Sequence, residues 1–252
     1  MSFSTMNKVS VRRVIILLAA MAGMALTARL GVWQMSRAEE KLAYQRDLDL
    51  QAQLPPLTPQ DLVAQPELWQ QVHRNIALDG KWIADKTVYL DNRSHQGQPG
   101  FWVITPMSWA PGQVVWVQRG WVARDRTDAS KAAPIDTLQD NIKLTGRVAL
   151  ALSQMTELKS TIAVEPAPGQ LRIQNNLSRQ HMQAMVSDKV SGLVIQTGQD
   201  SDGLRRDWPV ISQTADKNKG YAFQWFALSG LIAILYFWFQ WIGPLRHARQ
   251  EQ

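Results

Sequence analysis

The chain has 252 residues, a formal net charge of +6, 45% hydrophobic residues and no cysteine. Without cysteine it has no disulfide scaffold, no CxxC redox motif and no thiolate metal site. The basic excess does not describe a nucleic-acid surface: residues 34–219 carry 21 Lys and Arg against 20 Asp and Glu, and the surplus (Lys8, Arg12, Arg13, Arg29, Arg246, Arg249) flanks two apolar segments.

Residues 1–13 read as a short basic tail, followed at 14–32 by VIILLAAMAGMALTARLGV, whose only charge is Arg29. As a helix this stretch spans about 28 Å, close to the hydrocarbon thickness, and Arg29 sits where its stem reaches the headgroups. It is predicted as a transmembrane helix. A cleaved signal peptide is the alternative, although the nearest cleavage options, Ala25-Leu26-Thr27 and Leu26-Thr27-Ala28, do not make a clean A-x-A site.

Residues 33–219 are predicted as one β-rich domain. SRAEEKLAYQRDLDLQAQL continues as helix up to a loop marked by Pro55 and Pro56, and Thr58-Pro59 with Asp61 looks like the start of a capped short helix. From Val72 the period changes to two: Val72, Arg74, Ile76 and Leu78 alternate and stop at Asp79-Gly80, a turn signal. Further strand candidates are Thr87–Leu90, Phe101–Met107, Val114–Val122, Lys143–Leu152, Leu171–Gln174 and Gly192–Thr197, with Pro106, Pro111 and Gly112 marking a hairpin connection. Ser178–Val186 reads as a helix capped by Ser178. An antiparallel sheet or small barrel is the architecture this order suggests.

Residues 220–243 are predicted as the second transmembrane helix, inside a charge-free run from Gly220 to Leu245, with 244–252 as the closing tail. Tyr221, Trp225 and Phe226 crowd one end, and Trp238 and Trp241 the other. Trp225 and Trp241 stand about 24 Å apart along a helix, as two interfacial belts do. A buried core helix is the alternative. The fold class is thus an α+β membrane protein, two transmembrane helices flanking a β-rich extracytoplasmic domain with one or two helices. The short basic tails place both termini in the cytoplasm, against a weaker vote from Arg37, Lys41 and Arg46. In a bacterium this is a multi-pass inner-membrane protein with a periplasmic central domain.

Chemistry is hard to find. The acidic residues form no identifiable pair, and His73, His95, His181 and His247 share no metal-ligand spacing, which fits ordinary surface histidines. No nucleophile elbow, P-loop or dinucleotide fingerprint is present, and Asn92-Arg93-Ser94 matters as N-x-S only in a eukaryotic secretory setting. No enzyme, and no bound metal, is predicted. What remains is an aromatic-rich domain, in a chain with 11 tryptophans, tethered at both ends.

Three motifs add a resemblance. The exit from the first helix reads LGVWQMSRAEEK (Leu30, Gly31, Trp33, Gln34, Arg37, Lys41), the middle reads VVWVQRGWVARD (Arg119, Gly120, Trp121), and the second helix opens GYAFQWFALS (Tyr221, Trp225, Phe226). In order and spacing the chain resembles the surfeit-locus protein 1 family of cytochrome oxidase assembly factors. The resemblance implies a role in building haem-copper terminal oxidases, at haem a insertion into the large subunit, with that subunit, other assembly factors and the bilayer as partners. Some bacterial members bind haem a through a histidine three residues before the tyrosine that opens the second helix. Here that residue is Asn218, and asparagine does not replace imidazole as an axial ligand. The resemblance makes Gly31, Trp33, Gln34, Arg37, Arg119, Asn218, Tyr221 and Trp225 the candidate haem or oxidase contacts. Plainer readings stand beside this one: Gly31 for close helix approach, Trp33 and Gln34 as interface markers, Arg119 either bonding backbone at a strand end or clamping a propionate. The alternative function is an oxidase-independent, membrane-tethered ligand-binding or sensor module.

Overall fold

The computed structural model describes residues 3–64, 67–128, 131–138, 140–154, 170–208 and 211–242; the expected tail 244–252, with His247, lies outside them. The chain divides into two compact units, one formed by the chain up to Arg46 with the chain after Trp208, the other by Asp47–Trp208. The described residues include the α-helices α1 (Phe3–Ala52), α2 (Pro59–Ala64), α3 (Arg179–Ala184) and α4 (Ile211–Phe237), the last followed by a π turn at Trp238–Ile242.

In the first unit, α1 runs unbroken because it contains no proline and only two glycines, Gly23 and Gly31. The stretches Val11–Ala52 and Thr214–Gln240 are long and apolar enough to cross a membrane. Only 11% and 6% of their most apolar windows are buried, and side chains such as Leu18, Leu26, Phe223 and Ile234 stand exposed. A core helix of a soluble protein would be mostly covered, so these surfaces point to lipid and to association with a membrane. Helix α4 starts at Ile211, ahead of the charge-free run. Asn218, expected just before a helix, therefore lies inside one, about two turns from its start.

In the second unit, β1 (Asn75–Trp82), β2 (Val88–Leu90), β3 (Gly100–Ala110), β4 (Gln113–Ala123), β5 (Ile142–Ala149), β6 (Ile173–Gln174) and β7 (Lys189–Gln196) form one sheet in the order β1-β5-β7-β4-β3-β2-β6. A further pairing of β1 with β3, Lys81↔Ser108 and Trp82↔Met107, closes β1-β5-β7-β4-β3 into a small barrel. Of the two expected architectures, an antiparallel sheet or a small barrel, the barrel is the one found, and its sheet is mixed: β4 runs parallel to β7 and β2 parallel to β6. Parallel neighbours need a long crossover, and more than sixty residues separate the end of β4 from the start of β7.

Two punctuation marks in the sequence turn out to be strand interior. Asp79-Gly80 does not end β1, which continues to Trp82. Gly80 is there because a Cβ would lie 2.5 Å from the Ser108 carbonyl oxygen and 3.0 Å from Met107 Cγ, where β1 closes on β3. Pro106 lies inside β3 at the point where that edge changes partner from β2 to β1, and its carbonyl accepts from Ile83 N at 2.9 Å. Its missing N–H faces the gap between the two partners and costs no ladder bond.

Strand β4 is buried along nearly its whole length, so both of its faces are covered. Val115 and Val117 pack with Ile76, Leu78, Met107 and Leu144 on one side, and Trp116 with Val88, Ile104 and Leu193 on the other. The two short helices are capped as their sequences indicate. Asp61 Oδ2 accepts from Thr58 N at 2.7 Å and Thr58 Oγ1 at 2.8 Å, which holds that carboxyl below its ordinary pKa. Ser178 Oγ accepts from His181 N at 3.2 Å at the start of α3.

Candidate functional site

In the first unit α1 and α4 pack antiparallel, and contacts made by rising residue numbers on α1 fall on descending numbers of α4. Ser229 Oγ donates to Met24 O at 3.2 Å, Gly31 faces Phe226, and Asn218 sits between Gln34 and Lys41. The seam is built from small residues. Thr27, Gly31 and Ala38 on α1 and Ala215 and Ala222 on α4 are buried. A Cβ at Gly31 would lie 2.7 Å from the Phe226 ring, so glycine there is what lets the helices approach. Thr27 satisfies its own hydroxyl on Gly23 O at 2.8 Å within its helix.

Close approach brings polar side chains together. Asn218 Nδ2 donates to Gln34 Oε1 at 2.6 Å, and Asn218 Oδ1 accepts from Lys41 Nζ at 2.6 Å. Lys41 Nζ also reaches Thr214 O at 3.4 Å. Of the motif residues, Gly31, Gln34, Lys41 and Phe226 thus converge on one seam together with Asn218. Trp33 and Tyr221 are exposed and point away from it, and Trp225 is half-buried. Arg37 is exposed and pairs with Glu40 at 2.7 Å along its own helix.

Arg119 belongs to the second unit, and the expectation of a strand-end arginine is corrected by its position within β4. Ile104 pairs with Gln118 and Val103 with Gly120, so Arg119 is the extra residue of a β-bulge. Its side chain is fully buried. Nη1 donates to Thr137 Oγ1 and Nη2 to Asp136 O, both at 2.8 Å, Asp202 Oδ2 lies at 3.5 Å, and the guanidinium lies over Trp82, 4.7 Å from the ring centroid. Burial pulls the guanidinium pKa down and Asp202 opposes that shift. Arg206 backs the arrangement, donating from Nε to Arg119 O at 2.8 Å and pairing with Asp202 at 3.1 Å. Placed this way, Arg119 ties β4 to Asp136, Thr137 and Asp202, and its side chain, fully buried, has no exposed surface for a propionate or a partner.

Two histidines expected as ordinary surface residues are instead largely covered and paired. His73 Nδ1 lies 2.5 Å from Asp47 Oδ2, and His95 Nε2 lies 3.1 Å from Asp207 Oδ2 with its ring packed on Trp121. His181 lies on α3. A surface cleft of about 600 Å³ is lined by Gly97, Pro99, Arg124 and Arg126 among others; it takes in the end of the VVWVQRGWVARD motif (Ala123, Arg124, Asp125) but none of the candidate contact residues. Among the described residues, no group of three or more His, Cys, Asp and Glu is placed to hold a metal ion.

Apart from Gly31, the residues that sequence reasoning missed are the small ones of the seam. Ala215, Ala222 and Ser229 recur every seven residues, and Gly23, Thr27 and Gly31 every four, a packing signal visible in hindsight. The contacts of Arg119 with Trp82, Thr137 and Asp202 leave no such trace.

A family model described as the SURF1 family matches residues 21–230. The chain belongs to the SURF1 family. Comparison with curated proteins returns no match. The SURF1 match takes in the whole barrel and the seam residues of both helices. SURF1 is a family of cytochrome oxidase assembly factors, generally non-enzymatic and associated in general terms with haem binding. The residues of this SURF1 chain do not fit an axial haem site at position 218. The Asn218 oxygen already accepts from Lys41, and its amide nitrogen has no lone pair to offer iron.

Proposed function

We propose that this chain is a non-enzymatic assembly factor for a haem-copper terminal oxidase, working at haem a insertion into the large subunit. The observation that carries the reading is the family match over residues 21–230, in a chain whose barrel is bracketed by two helices fit to cross a membrane. In a bacterium the helices anchor the chain in the inner membrane with both termini cytoplasmic and the barrel periplasmic, as the basic tails favour. Its partners are the large subunit and other assembly factors. Because Asn218 offers no ligand, the contribution assigned to the helix pair is docking on the large subunit during insertion. The exposed aromatic residues Trp33, Tyr221 and Phe223 give that pair surface for a membrane partner.

Deleting the gene and measuring haem a content and oxidase activity in membranes tests this reading. The expected result is loss of haem a from the large subunit with restoration by the intact gene. Normal oxidase in the deletion strain would overturn it, and co-purification with unrelated envelope proteins would favour the sensor alternative.

A further inference from the structure

We propose that Gln34, Asn218 and Lys41 form a latch that fixes the register of α1 against α4, and that this latch stands where haem-binding relatives carry an axial histidine. The inference about register rests on the geometry of the helix pair alone. Only its meaning for haem rests on the reading given above.

The chemistry of an asparagine side chain sets the argument. Its oxygen accepts and its nitrogen donates, so one residue can bridge a donor and an acceptor on a facing helix. Asn218 does this, donating to Gln34 Oε1 and accepting from Lys41 Nζ, each at 2.6 Å. Gln34 and Lys41 are seven residues apart, two turns on the same face of α1, so the two bonds straddle one position of α4. An apolar seam alone specifies register weakly, because sliding by a turn exchanges one set of methyl contacts for another. A polar bridge has one register in which both ends are satisfied, and slippage leaves three polar groups at the seam without partners. Lys41 sharpens the penalty because its ammonium is charged and its partners here, Asn218 Oδ1 and Thr214 O, are neutral oxygens held by α4. Turning Asn218 toward an iron would break both bonds. The position is therefore committed to helix pairing.

The chain has no native cysteine, which makes the register directly measurable in the full-length protein. Met24→Cys with Ser229→Cys forms a reporter pair, since Ser229 Oγ reaches Met24 O at 3.2 Å. Crosslinking of this pair by a short thiol-reactive linker is followed in native membranes, with Asn218→Leu, Gln34→Leu, both together, and Asn218→Asp in the same background. Each leucine variant is expected to lower the in-register yield by about threefold to tenfold, from the loss of one or two interhelical hydrogen bonds. The double variant should lose less than the product of the two single losses, because the Asn218–Gln34 bond is lost only once and neither amide is left facing leucine, while Lys41 keeps Thr214 O. Asn218→Asp should keep the yield, since its carboxylate still accepts from Lys41 and the Gln34 amide can turn to donate to it. Independent effects of the two leucines, or Asn218→Asp as damaging as Asn218→Leu, would overturn the latch. Purified protein from cells making haem a gives the second arm. A Soret band in the unaltered chain that Asn218→Leu removes would make position 218 a haem contact and overturn its assignment to the latch. An unchanged absorption spectrum supports it. Neither arm depends on oxidase assembly, so failure of the assembly reading would be seen separately.

Discussion

Replacing Arg119 by methionine tests whether the Arg119-Gly120-Trp121 motif acts through a buried brace of the second unit. Methionine fills most of the buried volume but loses both 2.8 Å hydrogen bonds, to Thr137 Oγ1 and Asp136 O, and the stacking on Trp82. Two hydrogen bonds from a charged donor are worth about 3–6 kcal/mol gross. Part of that is returned, because the substitution also ends the burial of a charge that already depresses the guanidinium pKa. Asp202 is not orphaned, since Arg206 still pairs with it at 3.1 Å. The net cost is about 2–4 kcal/mol, or about 5–12 °C in the melting temperature of a domain this size. Arg119→Lys keeps the charge without the fork and should lose a smaller part. Thermal melts of the full-length protein in detergent, followed by tryptophan fluorescence, read both variants. Oxidase assembly should fall only as far as folded protein falls. A melting temperature within about 2 °C of the unaltered chain, combined with lost oxidase, would refute the argument and make Arg119 a direct contact.

Gly80→Val places a branched side chain against the Ser108 carbonyl at the seam that closes the barrel. It should cost at least about 2 kcal/mol, and an unchanged melting temperature would mean that closure between β1 and β3 is not needed for stability. Tyr89 is buried beside Phe101, and burial raises its phenol above the ordinary 10.0. A raised acid pKa in the folded state means its contribution is full below pH about 10 and is lost as pH rises from there through the folded value. Tyr89→Phe should therefore flatten the alkaline decline of the melting temperature above pH about 10 relative to the unaltered chain, and identical alkaline slopes would remove Tyr89 as the cause.

Much of the architecture is legible from local features. The two long helices are visible because apolar length and missing charge are sums over neighbouring residues, and lipid-facing surface needs no particular partner. The caps at Thr58 with Asp61 and at Ser178 are equally local, each closed within three residues. Strands β3 and β4 follow from composition and pattern for the same reason. What escapes is whatever depends on a distant segment. Gly80 carries the signature of a turn and is a strand residue because Ser108 lies against it, and Pro106 looks like a breaker but sits where β3 changes partner. The parallel pairing of β4 with β7, the bulge that buries Arg119 and its bracing by Asp202 all join residues that no periodicity links.

Position 218 shows both sides. The resemblance places asparagine where haem-binding members are expected to carry an imidazole, and that an asparagine is no substitute for it follows from the side chain itself. What that asparagine does instead depends on Gln34, a separation of 184 residues, and on a glycine at 31 that lets the helices come close enough for so short a side chain to reach across. Residue types and local periodicity can be read one segment at a time, whereas a bridge between segments exists only once packing has set their distance.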